Sequence, residues 1–93
     1  MQIRWTEPAA GDLTSICDYI QSQDGIKIAR RVALEIYRRI TRLSDFPNQG
    51  REGRRQGARE LVFSGLPYVA VYRVQGNAIE ILRILHGAQQ FPG

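Results

Sequence analysis

The chain has 93 residues, 43% of them hydrophobic and 24% charged, with a mean hydropathy of −0.31; this is ordinary globular composition, and one domain spanning 1–93 is expected because the length closes one core and leaves no room for a second. Twelve Arg and one Lys against nine acidic residues give a formal charge of +4. Arg suits phosphate and carboxylate, so nucleic acid or an acidic protein segment is the expected partner class, the other reading being codon usage in a GC-rich genome.

The lone Cys17 excludes an internal disulfide, no Cys/His cluster has metal-ligand spacing, and no stretch approaches the ~20 apolar residues of a membrane span. Met1-Gln2-Ile3-Arg4-Trp5 lacks the apolar run of a signal peptide. The expectation is a cytoplasmic protein with no metal, no cofactor and no membrane association.

In chain order, Gln2 to Thr6 alternates, Ile3 and Trp5 on one side, and reads as a short half-buried strand. Pro8 opens a helix whose stripe is Leu13, Ile16, Cys17 and Ile20, at i, i+3, i+4, i+7. Cys17 on that stripe reads as a small buried hydrophobe, since no cationic group at helical spacing would lower its pKa. Gln21 to Gly25 reads as a polar break, with Asp24 capping a second helix that begins near Ile26. Its inward stripe is Ala29, Val32, Ala33, Ile36, Ile40 and Leu43. Arg30, Arg31, Arg38, Arg39 and Arg42 hold much of the remainder, as a solvated face or a binding face. Phe46-Pro47 ends that helix.

Asn48 to Ala58 holds three Gly and three Arg and almost nothing apolar. It reads as a mobile basic loop in which Arg51, Arg54 and Arg55 either capture phosphate or carboxylate or belong to a solvated connection. Three runs rich in Val, Ile, Leu, Tyr and Phe follow (Glu60 to Phe63, Tyr68 to Val74, Ile79 to Leu85), separated by Ser64-Gly65-Leu66-Pro67 and Gln75-Gly76-Asn77. They predict a three-stranded meander. Bulky aliphatics on both parities of the third run predict a strand covered on both faces. The fold class is therefore α+β, in the order β-α-α-β-β-β, with a helix hairpin on one face of a small, mainly antiparallel four-stranded sheet. The other sheet face should be partly covered and carry an apolar patch, which usually marks a partner site.

The opening I-R-W-T-E-P-A-A-G-D-L, F-P-N-Q-G-R after the second helix, R-E-L-V-F-S-G-L-P-Y-V-A-V-Y-R-V and I-E-I-L-R-I-L-H-G-A-Q-Q-F-P, in this order and spacing, resemble the RelE/ParE superfamily of bacterial type II toxin–antitoxin toxins. The resemblance implies a toxin that arrests growth and stabilises the plasmid or genome carrying it. A cognate antitoxin would hold it inactive by wrapping sheet and helices in a toxin–antitoxin hetero-oligomer. The family divides into ribosome-dependent mRNA endonucleases, RelE-like, and DNA gyrase poisons, ParE-like. RNA cleavage through the 2′-OH needs a proton acceptor, cations for the phosphate and a donor for the leaving oxygen. Here the middle-strand Arg position of RelE-like toxins falls on Val69, the later one near Gln89, and no Tyr follows Tyr72. Only His86, Arg83, Arg73 and Arg59 could rebuild a nuclease site. His86 reads as a general base or as a strand-end histidine hydrogen-bonded to backbone. The favoured expectation is a ParE-like gyrase inhibitor, which is not a nuclease, with a RelE-like mRNA interferase and a non-toxic antitoxin-binding module as alternatives. Target or antitoxin binding is expected at Arg51, Arg54, Arg55, Arg59, Tyr68, Tyr72, Arg83 and Phe91.

Overall fold

The computed structural model describes residues 1–87. The elements run β1 (Gln2–Trp5), α1 (Glu7–Asp24), α2 (Ile26–Thr41), a 3-10 turn at Arg42–Ser44, β2 (Arg51–Glu52), β3 (Arg59–Val62), β4 (Tyr68–Gln75) and β5 (Ala78–His86). The sheet order is β1-β5-β4-β3-β2, antiparallel except where β1 joins β5. Five strands replace the four expected. The additional one is the two-residue β2, which lies inside the segment read as a mobile loop and carries no apolar alternation to announce it. It pairs Arg51 with Glu60 and Glu52 with Arg59, and the Gly53 N–H closes the hairpin on the Ala58 carbonyl at 2.8 Å.

Thr6 caps α1 by accepting the Ala9 N–H at 3.2 Å, with Pro8 in the first turn. The helix does not stop at Gln21. It continues to Asp24, so Asp24 is not a cap; Gly25, at φ 93°, makes the break alone and leads into α2 with no side-chain cap. On α2, Ala29, Ile36 and Ile40 are buried and Val32 and Ala33 half-buried, followed by buried Leu43. They pack with Ile20, Phe63, Tyr72, Ile79, Ile81 and Ile84 in the main core between hairpin and sheet. At ~1.5–3 kcal/mol for each fully buried large apolar side chain, this interface is the chief source of stability.

β5 lies between β1 and β4, as its bulky composition requires. The parity differs from the sequence pattern, because Tyr72 pairs with Ile81 but Val71 with Arg83, leaving Leu82 as an extra residue in a β-bulge. Ile84, rather than Leu85, therefore joins Ile79 and Ile81 under the helices. Leu82 and Leu85 turn to the other face and meet Val71 and Ala58. That face is less open than expected, with Val71 2% and Leu85 7% exposed; Val62, at 49%, is its exposed aliphatic.

Candidate functional site

Two clusters tie distant segments together, and each uses a residue motif visible in the sequence. In the first, the fully buried Tyr72 donates its hydroxyl to the Pro47 carbonyl at 2.8 Å and accepts the Gly50 N–H at 2.8 Å. Arg59 donates to the Gly50 carbonyl at 2.8 Å. A Cβ on Gly50 would lie 2.7 Å from the Tyr72 ring and hydroxyl and 2.8 Å from the Glu60 carbonyl, so the glycine is set by close approach. Burial pushes the Tyr72 phenol up, opposed by the Gly50 N–H and the Arg59 charge. Beside it, the nearly buried Glu60 carboxylate accepts from Arg51 Nη2 at 2.9 Å and Arg51 Nε at 3.2 Å, and from the Arg54 N–H at 3.3 Å. The basic segment is thus a pinned hairpin and not a mobile loop. Its Arg54 and Arg55 side chains are exposed, and a cleft of about 440 Å³ opens beside Arg55, Arg59 and Glu52.

In the second cluster α1 is anchored to β5 beyond the end of β1. The Thr6 hydroxyl lies 2.9 Å from the Ile81 carbonyl and 3.1 Å from that of Leu82. Asp12 accepts Arg83 Nε at 2.7 Å and Nη2 at 3.0 Å, and also the Ile84 N–H at 2.9 Å. Those bonds to Asp12 raise the Arg83 pKa. Asp12 thereby satisfies a strand-edge donor that β1 is too short to reach. Sequence reasoning did not single it out; the G-D-L and L-R-I motifs held the signal. Next to it a cleft of about 630 Å³ is lined by Asp12, Ser15, Tyr19, Tyr68, Ile84 and His86, among others. The Tyr68 and His86 rings meet edge to face, centroids 5.9 Å apart.

The structure does not gather the four residues proposed for RNA cleavage at one point. His86 pairs across from Tyr68 and Arg73 across from Glu80, rows five residues apart on β4, or ~16 Å. Arg73 is held by Glu80 at 2.7 Å, Arg83 by Asp12, and Arg59 by the Gly50 carbonyl. His86 and Arg83 flank one end of β5; Arg59 faces the 47–50 turn from β3. Among the expected binding residues, Arg54, Arg55 and Arg83 are exposed, Arg51 is exposed but paired, and Tyr68 lines the His86 cleft although only 9% exposed. Burial pushes its phenol up, with Tyr19 and Cys17 adding to the effect. Tyr72 has no exposed surface and cannot touch a partner; its part is to position the Pro47–Gly50 turn. Gln89 and Phe91 lie outside the described residues. Cys17 is half-buried, and burial and Asp18 raise its pKa, the opposite of what a thiolate nucleophile needs. Among the described residues there is no group of three or more His, Cys, Asp or Glu able to hold a metal ion, and no helix long and apolar enough to cross a membrane.

Comparison with known proteins places this arrangement. The family model for the ParE toxin of the type II toxin–antitoxin system parDE matches residues 3–91. The chain is 40% identical to Y4kP of Sinorhizobium fredii over 98% of its own length and 93% of that protein. It is 39% identical to toxin RelE2 (95% of this chain, 97% of the relative) and 37% identical to toxin ParE3 (88% and 82%), both of Caulobacter vibrioides. Among solved structures, a chain of the chromosomal ParDE toxin–antitoxin system from P. aeruginosa superposes with a TM-score of 0.87 at 34% identity, covering 92% of this chain and 95% of that one. The helix hairpin on a mainly antiparallel sheet is thus the fold of a ParDE system chain, and the chain belongs to the ParE toxin family of type II toxin–antitoxin systems within the RelE/ParE superfamily.

Proposed function

We propose that this toxin arrests bacterial growth in the cytoplasm by binding and inhibiting DNA gyrase, and that a cognate antitoxin neutralises it. The observation that carries the reading is that His86, Arg73, Arg83 and Arg59 do not converge on one point, each of the three guanidinium groups being bonded to a partner elsewhere in the chain. Stabilising the transition state of phosphodiester cleavage requires donors that converge on one phosphate, each typically contributing ~10²- to 10³-fold in rate. A binding inhibitor has no such requirement and can use exposed Arg54 and Arg55 as separate contacts. The antitoxin follows from membership in a two-component family and from the match of the fold to a chain of a ParDE toxin–antitoxin system.

A second reading, ribosome-dependent mRNA cleavage, draws on one observation: His86 shares its cleft with the Tyr68 ring and the Asp12 carboxylate. Induced expression in bacteria separates the two. Gyrase inhibition predicts filamentation and DNA-damage signalling before protein synthesis falls; codon-positioned mRNA cuts with an early loss of translation would establish the nuclease instead.

A further inference from the structure

The cleft of about 440 Å³ beside the basic hairpin is lined by Asn48, Glu52, Arg55, Gln56, Arg59 and Val74, among others, and its size falls within the ~300–1,000 Å³ of small-molecule sites. Glu52 lies opposite Arg59 across β2 and β3, so the two side chains share a face, with Cβ atoms ~5 Å apart. They form no ion pair. Arg59 turns one N–H to the Gly50 carbonyl and has four more to offer. Neither Glu52 nor Arg55 makes a side-chain hydrogen bond or ion pair among the described residues. Two guanidinium groups and one carboxylate therefore reach the same cleft with their bonding capacity largely open. The backbone beneath them is fixed: the Ala58 N–H donates to the Arg55 carbonyl at 3.1 Å, the Gly53 N–H to the Ala58 carbonyl at 2.8 Å, and Gly57 takes φ 81° in the turn between. Arg55 thus stands on an ordered turn, which lowers the cost of ordering it around a ligand.

We propose that this cleft binds a ribose phosphate, either as a free sugar phosphate or as part of a mononucleotide. The planar guanidinium groups of Arg55 and Arg59 match phosphate oxygens bidentately. Glu52 can only accept hydrogen bonds, and the vicinal hydroxyls of a ribose supply two donors to its two oxygens. The same carboxylate repels an anion that brings no donors of its own, so the cleft selects against bare phosphate. Asn48 and Gln56, whose carboxamides both donate and accept, suit the remaining sugar oxygens. Val74, 39% exposed, offers an apolar surface on which the base of a nucleotide can lie. Arg54 is not among the residues lining the cleft. None of this chemistry depends on gyrase as the target of the proposed function.

The test titrates the purified full chain with ribose 5-phosphate, adenosine monophosphate, inorganic phosphate and a ten-residue oligouridine, following heat and the backbone amide resonances. Ribose 5-phosphate and adenosine monophosphate should bind and shift the Gly53, Gly57 and Val74 amides, with inorganic phosphate weaker by about 10-fold or more. Arg55→Ala should weaken both by about 10-fold, the loss of one charge-assisted pair, at unchanged Tm. Arg54→Ala should leave binding as it is, and Glu52→Gln should close the gap to inorganic phosphate. Tighter binding of adenosine monophosphate than of ribose 5-phosphate would assign the site to a nucleotide, and equal binding to a sugar phosphate; both support the proposal. It is overturned if neither compound binds, if inorganic phosphate binds equally to the wild-type chain, if Arg54→Ala weakens binding as much as Arg55→Ala, or if the shifted amides lie elsewhere. Oligouridine binding about 10-fold more tightly than adenosine monophosphate would make the cleft part of a nucleic-acid surface and would also overturn it. Gyrase inhibition by a chain that binds no ribose phosphate would sink this inference and leave the proposed function standing.

Discussion

Tyr72, Gly50 and Glu60 show how single residues fix the shape of the basic segment. Replacing Tyr72 by Phe removes the acceptor for the buried Gly50 N–H and the donor to Pro47, a loss of about 1–3 kcal/mol measurable by denaturant unfolding. The phenol's pKa is raised in the folded state, so its contribution is complete below the ordinary phenol value of ~10 and is lost as pH rises through the higher folded value. Wild-type stability should therefore fall above pH ~10, and Tyr72→Phe should flatten that part of the profile. Gly50→Ala drives a methyl group into the ring and backbone and should destabilise by about 1–3 kcal/mol, without the pH effect. In the same hairpin Arg51 and its neighbours part company. Arg51→Ala strips the nearly buried Glu60 of a partner, at a cost of about 1–2 kcal/mol. Arg54→Ala/Arg55→Ala, by contrast, should leave Tm unchanged and reduce toxicity. Full toxicity in that double variant, in a growth assay, would remove the segment from target binding.

At the scale of elements, both helices, β1 and the meander were legible because each carries its own period: i, i+3, i+4, i+7 along α1 and α2, and short β-branched runs between turn residues. What escaped was set by contacts between elements. β2 exists because Tyr72 and Arg59 pin the preceding turn and Glu60 draws Arg51 across, neither of which is a local pattern. The bulge at Leu82 defeats alternation by its nature, since one extra residue reverses every later side chain. The α1–β5 anchor is of the same kind, joining residues about 70 positions apart. Asp12→Ala would leave the Ile84 N–H without its acceptor and should cost about 1–3 kcal/mol. Arg83→Ala removes a partly exposed partner and leaves the Ile84 N–H bond in place, and should cost less than about 1 kcal/mol. Equal losses in the two variants, by thermal or chemical unfolding, would mean that the ion pair and not the strand-edge bond holds the helix.

For the molecule as a whole, the fold class and family were readable from motif order, whereas the candidate site was readable only in part. Arg54 and Arg55 are exposed as the sequence suggested, but Tyr72, chosen as a surface aromatic, is the most enclosed of the group. An aromatic on a strand has no sequence mark for which face it takes. On the proposed function, this toxin works by presenting surfaces and not through catalysis at His86. The most direct measurement is inhibition of supercoiling by purified gyrase with wild-type and His86→Gln toxin. The account predicts inhibition by both proteins at similar concentrations and antitoxin reversal of each. No effect of the wild-type chain on gyrase, together with mRNA cleavage on ribosomes that His86→Gln abolishes, would contradict it.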